Sequence, residues 1–361
     1  INKKKLVYIT DILRNDLFPH LGDSFKKKAY FLGYMTNKLL MCHLGKIDYD
    51  DRDHYANKRI DCAGTKLAEL FSTNFSKMIK DAKASIQKEI NFGRVNDIEN
   101  NLSKIFKSAI IESSIKYALA TGNWGVKQVG SATSKLGVAQ LLTRFTGVQG
   151  TSHLRRISTP IDATTKITQP RKLHSTKWGY ICPAETPEGA KVGLVNSMAM
   201  TCHITTFTVV DTVIKEIEYN ENFENFDNIT IDNISKTHTK IFVNGDWIGI
   251  HYDPKNLVEI LKNLRREARI NVFTSIYWDI NRREVIIHTD GGRCTRPLYI
   301  VKDNNLLINN KSDWRKSDWM NLISGLSITD PTDKENAAVI EYIDVQESEG
   351  CLIAFSNKTL D

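Results

Sequence analysis

Trp178-Gly-Tyr-Ile-Cys-Pro-Ala-Glu-Thr-Pro-Glu-Gly189 is the stretch on which the reading of this 361-residue chain turns. Two prolines restrict φ and a closing glycine relaxes it, so the run is a rigid loop with set turns, not a helix or a strand. Glu185 and Glu188 stand at i and i+3 within it. General acid–base chemistry needs two carboxylates facing one pocket. A proline-framed loop instead suits them to accept bonds from backbone amides or nearby arginines. A structural role is the expectation for both.

The loop closes a segment of unusual charge. Residues 126–184 hold nine cations (Lys127, Lys135, Arg144, Arg155, Arg156, Lys166, Arg171, Lys172 and Lys177) and one acid, Asp162. That stretch is +8 in a chain of net charge +7, so the remainder sums to −1. Gly, Thr, Ser and Gln, with His153, His174 and Trp178, are interleaved among the cations. They add hydrogen-bond donors and a stacking surface, a mix suited to a phosphate backbone. Lys135, Arg144, Arg155, Arg156, Lys166, Arg171, Lys172 and Lys177 are the candidate nucleic-acid contacts. A solvated basic face and an acidic protein partner are the alternatives, and the residues do not separate DNA from RNA.

Outward from this segment the texture changes. Upstream, Leu32, Met35 and Leu39 repeat at helical spacing, as do Leu67, Phe71, Phe75, Ile79, Ala82, Ile86 and Ile90. Leu102–Ala120 forms a third stretch, and all three stripes read as core faces. Downstream, Ile241–Val243 and Trp247–Ile250 flank Asn244-Gly245, the signature of a hairpin. Asp253-Pro254 opens a helix with Leu257, Ile260, Leu261 and Leu264 on its apolar side. Val272–Ile280 and Glu284–Thr289 read as a second hairpin. Pro297–Val301, Val339–Val345 and Cys351–Phe355 are strand candidates, and a helix is expected near Trp314–Leu322. The patches Asn220–Asn228 and Asp330–Asn336 read as surface loops. The fold class is therefore α+β and multidomain: a helical N-terminal third, a loop-rich centre and a mixed α/β C-terminal third.

Composition excludes several classes. Hydrophobic residues at 41% and charged residues at 25% describe a globular protein, not a disordered chain or a disulfide scaffold. Six cysteines without a CxxC pair read as reduced thiols of the nucleus or cytoplasm, or of a virion for a viral source, and not of a secreted protein. The least charged run, Val192–Val210, is too polar for a membrane and reads as one or two buried strands. Asp48-Tyr-Asp-Asp-Arg-Asp-His54 gathers carboxylates, but adjacent side chains diverge and Arg52 competes, so a hydrogen-bonded turn docking two helices is preferred to a metal site. Cys42-His43 and Cys202-His203 read as buried core pairs. No phosphate-cradling glycine loop and no nucleophile–base pair can be argued, so no catalytic residue is assigned.

Several strings are informative together: Asp50-Asp-Arg-Asp-His-Tyr-Ala-Asn-Lys-Arg59 with Ala63-Gly64; Tyr117-Ala-Leu-Ala-Thr-Gly-Asn-Trp-Gly125; Gly137-Val-Ala-Gln-Leu141; Ser152-His-Leu-Arg-Arg156 with Thr159-Pro160; Pro170-Arg-Lys-Leu-His174; the opening stretch with Gly193-Leu-Val195; Val243-Asn-Gly-Asp-Trp247; and Thr289-Asp-Gly-Gly-Arg293 with Arg296-Pro297. In order and spacing the chain resembles an internal part of the second-largest subunit of multisubunit DNA-directed RNA polymerases, closer to the nuclear polymerase II type than to the bacterial β subunit.

The resemblance implies an end-of-lobe region at 1–61, a helical protrusion-like region at 62–130, a fork at 131–205 and two external regions at 206–290 and 291–361. It implies that Ser134–Arg144 and Ile161–Gln169 correspond to the two fork loops, beside the RNA–DNA hybrid and near the downstream DNA. Relatives carry Gly-Arg-Asp-Gly in the second loop, where this chain reads Asp162-Ala-Thr-Thr165. The implied partners are the largest subunit, smaller subunits, template DNA and the hybrid, with no membrane. The implied cofactor is Mg²⁺ in the complete enzyme and none in this part, whose isolated activity is expected to be nil. A non-catalytic nucleic-acid-binding or assembly paralogue with a fork-like fold is the rival reading.

Overall fold

A computed structural model describes residues 3–93, 102–124, 137–229, 238–310, 318–325 and 338–360. The chain forms two compact units, each assembled from separated segments. The larger comprises Ile1–Ile60, Lys172–Pro183 and Ala199–Asp361, the smaller Asp61–Arg171 and Ala184–Met198. The fork-like stretch 131–205 is thus divided between them. The helical first third, irregular centre and mixed last third are those of an α+β chain.

The larger unit is built on a five-stranded sheet, with strands in the order Phe223–Asn225, Asp246–His251, Thr239–Val243, Glu284–His288, Ser275–Asp279. Thr239–Val243 runs parallel to Glu284–His288, and the other pairings are antiparallel. Asn244 and Gly245 take φ 49° and 86°, the left-handed pair that a two-residue turn between twisted strands requires. Alternation sorts the sheet. Ile241, Val243, Val285 and Ile287 pack with Leu257, Leu261 and Leu264 of helix Pro254–Arg266 and with Val213 and Ile217 of helix Asp211–Glu218. Phe242, Trp247 and Ile250 pack with Phe226, Tyr30 and Tyr34, the tyrosines coming from helix Phe25–His43. Asp253 caps Pro254–Arg266 by accepting from the Asn256 amide at 3.2 Å. Ile260 of that helix is exposed and not part of the core.

The recurring strings of the larger unit bind one another. Arg59 Nε donates to Asp290 at 2.5 Å, and the Ile60 amide donates to the Gly292 carbonyl at 2.8 Å. Gly292 has φ 86°, and a Cβ there would stand 2.6 Å from the Ile60 oxygen. Asn244 exchanges two 2.8 Å bonds with Thr289. Arg293 donates to Asp344 at 3.0 Å and to the Phe273 carbonyl at 2.9 Å. Ile340–Asp344, Cys294–Tyr299 and His203–Ile204 form an antiparallel three-stranded sheet.

The smaller unit is organised by helix Ala63–Asn91 against helix Ala109–Thr121. Leu70, Ala118 and Trp124 form its core, and the Trp124 indole donates to the Lys66 carbonyl at 2.9 Å. Gly122 ends the second helix at φ 71°, where a Cβ would stand 2.5 Å from the Ala139 oxygen.

Several expectations need correction. On Ala63–Asn91 the buried row is Lys66, Leu70, Asn74 and Ala82, whereas Leu67, Phe71, Phe75 and Ile90 are exposed. Helical spacing reveals an apolar stripe but not what covers it, and the same holds for exposed Leu32, Met35 and Leu39. The stretch Leu102–Ala120 is a short turn, Leu102–Ile105, followed by a separate helix from Ala109. Asn220–Asn228 is not a surface loop: it supplies the edge strand Phe223–Asn225, and Phe226 is a core residue. Residues 351–355 form no strand. The helix near Trp314 spans Trp319–Ser324, while residues 311–317, Asp330–Asn336 and Lys135 lie outside the described residues. Cys42 is only half-buried and His43 is exposed, and His203 stacks on Phe273 at 4.6 Å beside the buried Cys202. No described helix is long and apolar enough to cross a membrane.

Candidate nucleic-acid interface

In the smaller unit the basic segment is a helix, a strand and a loop. Thr146 caps helix Gly147–Leu154 by accepting from the Gln149 amide at 3.1 Å. The chain then enters Arg156–Ser158, paired antiparallel with Val195–Ser197. That pairing brings the Pro-framed loop back to the basic residues. Arg144, Arg156 and Lys166 are exposed and make no ion pair with a described residue. Arg155, at the helix end, is half-buried, and its carbonyl accepts from the Met198 amide. The adjacent arginines therefore have different surroundings.

Arg171 is half-buried and folded onto the backbone. Its guanidinium donates to five carbonyls, those of Ala163, Thr165, Ile167, Ala190 and Val192, at 2.7–3.2 Å. Gly193, at φ 71°, lets the backbone pass: a Cβ there would lie 2.2 Å from the Arg171 oxygen. Asp162 accepts from the Thr164 amide at 2.9 Å, a bond that holds its carboxyl below the ordinary range.

Glu185 is exposed and accepts from the Ser152 hydroxyl at 2.5 Å. Glu188 is exposed and precedes the turn Gly189–Lys191. Between them Thr186 locks the loop, donating to the Val195 carbonyl and accepting from the Gly193 amide, both at 2.9 Å. Thr186 and Ser152 were not singled out by sequence reasoning, because a hydroxyl carries no pattern until its partner is known. The neighbouring His153 is held by Thr143 and Gln140.

Two of the candidate cations, Lys172 and Lys177, belong to the larger unit. Lys172 is exposed. Lys177 is 4% exposed; it donates to the Lys172 carbonyl at 3.1 Å and lies 5.6 Å over the Tyr55 ring. Burial lowers its pKa, against the pull of Asp53. The acidic run is a hydrogen-bonded turn whose partners lie on loops and on one helix, Val345–Glu349, not on two helices. Asp51 accepts from the Asp53 amide at 2.9 Å and from His174 at 2.7 Å, bonds that lower its pKa. Asp50 pairs with Arg282, Asp53 with Lys58 and His54 with Glu349. Among the described residues no three His, Cys, Asp or Glu are grouped to hold a metal ion. The carboxylates of Asp50, Asp51 and Asp53 are taken up by cations and backbone amides and do not fit a magnesium site.

Comparison with known proteins places these features. Family models described as "RNA polymerase Rpb2" match residues 2–61 (domain 2), 140–204 (domain 3) and 241–302 (domain 4). The chain belongs to the family of second-largest RNA polymerase subunits. It is 39% identical to DNA-directed RNA polymerase II subunit 2 of Arabidopsis thaliana over 365 residues, 98% of this chain and 29% of the relative. It is 40% identical to the polymerase II subunit RPB2 of Encephalitozoon cuniculi, covering 99% of this chain and 30% of the relative. The archaeal subunit Rpo2 of Sulfolobus acidocaldarius is 32% identical over 95% of this chain and 30% of its own length. The chain thus spans about 30% of these second-largest subunits. The domain 3 match contains Arg144, Arg155, Arg156, Lys166, Arg171, Lys172, Lys177, Glu185 and Glu188.

Proposed function

We propose that this chain is part of the second-largest subunit of a DNA-directed RNA polymerase, where it shapes the active-site cleft and holds nucleic acid near it. The reading is supported by one observation above the others: the charge excess is concentrated in a stretch largely within the domain 3 match, and Arg144, Arg156 and Lys166 there are exposed, with no carboxylate partner among the described residues. Of the two candidate cations in the larger unit, Lys172 is the exposed one. Arg171 and Lys177 support the backbone and leave the set of direct contacts. Glu185 and Glu188 position the loop and take no part in proton transfer. Lobe, protrusion, fork and external regions at 1–61, 62–130, 131–205, 206–290 and 291–361 remain part of the proposal. The partners are the largest subunit, smaller subunits, template DNA and the RNA–DNA hybrid.

In the complete enzyme two Mg²⁺ ions would stabilise charge during nucleotidyl transfer, held by residues outside this chain. This chain's part is to bind phosphates electrostatically and to keep its loops in place. Each phosphate contact adds about 0.7–0.9 to the slope of log affinity against log salt. Arg144→Ala, Arg156→Ala and Lys172→Ala, measured on an RNA–DNA scaffold with the assembled polymerase, each flatten that slope by close to one such contact. Unchanged slopes in all three sink the nucleic-acid assignment. The isolated chain incorporates no nucleotide with template and Mg²⁺, and turnover above a protein-free control contradicts the proposal.

A further inference from the structure

Arg171 lies in the middle of the basic segment, half-buried, and its guanidinium is taken up by backbone carbonyls. A guanidinium offers five N–H donors in one planar fork. Here the donor count is matched by backbone acceptors. Nε donates to Ile167 at 3.2 Å, one terminal nitrogen to Ala190 and Val192 at 2.7 and 3.0 Å, and the other to Ala163 and Thr165 at 2.9 and 3.2 Å. Three acceptors are alternate residues of the loop 161–169, and two belong to the turn that follows Gly189. The side chain therefore stitches the loop to the turn. The loop's other fastenings are local: the Thr164 amide to the Asp162 carboxylate, the Thr165 amide to the Asp162 carbonyl and the Arg171 amide to the Thr168 carbonyl.

Lys166 sits between two of the clamped carbonyls, those of Thr165 and Ile167, and its own side chain is exposed. A lysine at 171 would keep the charge but could not reproduce the planar fork. We propose that Arg171 is a positioning residue that holds the loop 161–169 in the shape presenting Lys166 to a phosphate backbone, without touching nucleic acid itself. This inference rests on the polymerase reading above and names the residue that organises one of its contacts.

The experiment uses the assembled polymerase and an RNA–DNA scaffold. Amide exchange across 161–169 reports the loop, and the salt slope of scaffold affinity reports phosphate contact. Arg171→Lys is expected to speed exchange of the Thr164 and Thr165 amides and to flatten the slope as much as Lys166→Ala, by about 0.7–0.9. The double variant flattens it no further. Arg171→Gln, which keeps fewer donors and no charge, behaves like Arg171→Lys and serves if the lysine variant does not assemble. Unchanged exchange in the variants overturns the proposal. So does an intact slope in Arg171→Lys beside a flattened one in Lys166→Ala. Additive losses from Arg171→Ala and Lys166→Ala, with the slope kept by Arg171→Lys, would show Arg171 contacting phosphate itself, and they overturn it too. A slope that Lys166→Ala leaves untouched defeats the phosphate role of this loop, and the positioning claim with it. The slopes of the Arg144, Arg156 and Lys172 variants then show whether the polymerase reading itself has failed.

Discussion

The two units treat arginine in opposite ways. In the larger unit Arg265, 2% exposed, is held by Glu347 at 2.7 Å and Glu341 at 3.0 Å, and Arg293 by Asp344 at 3.0 Å. These charges are neutralised inside the fold. In the basic segment of the smaller unit the arginine folded onto the backbone, Arg171, meets only carbonyls, and Arg144 and Arg156 are exposed. Carbonyls fix a guanidinium without cancelling its charge. A stretch with one carboxylate can thus be rigid and still present a positive field.

The largest effect that would test this contrast comes from Arg265→Ala. It leaves Glu347 buried with only the Lys262 ammonium, at 3.9 Å, to offset its charge, so the larger unit should lose about 3–5 kcal/mol in denaturant unfolding. A loss near that of a surface substitution would break the comparison. The pair also sets a pH dependence. Burial alone would raise the Glu341 pKa, but Arg265 and Arg266 outweigh it and hold the carboxyl below its ordinary value. A lowered carboxylate adds stability that is complete above its unfolded pKa and disappears as pH falls through the folded one. Unfolding midpoints followed downward from neutral pH should therefore fall on the acid side of the ordinary glutamate range. In Glu341→Gln that part of the fall is absent.

Gly193→Ala comes next. Its φ of 71° and the 2.2 Å approach to the Arg171 oxygen make alanine strained there, by about 1–3 kcal/mol, and thermal unfolding of the smaller unit reads the cost. Thr186→Val should be milder, about 1–2 kcal/mol, because it strands the Gly193 amide and the Val195 carbonyl. The smallest stability effect belongs to Arg156→Ala, within about 0.5 kcal/mol, although it should flatten the salt slope. A large destabilisation there would mean that the outward arginines are as structural as Arg265.

Much of the larger unit was legible in advance. The Asn244-Gly245 hairpin, the Asp253-Pro254 helix start and the strand near Pro297 follow from local backbone preference and have the expected form. The strand Phe223–Asn225 was hidden, since three polar-flanked residues make an edge strand only when Asp246–His251 offers a partner. At the candidate interface, Arg144, Arg156, Lys166 and Lys172 lie on the surface, and Glu185 and Glu188 lie on an exposed loop. That Arg171 and Lys177 fold onto backbone carbonyls could not be read, because carbonyl acceptors leave no mark in a sequence.

The sequence by itself determined where the charge lies, where the chain must turn and which family it belongs to, because those depend on neighbours within a few residues or on order along the chain. Only the tertiary structure decided which face of Ala63–Asn91 is buried and which cations are structural. Burial and hydrogen-bond pairing depend on groups distant in sequence: Trp124 reaches back to Lys66, and Arg171 reaches forward to Ala190 and Val192.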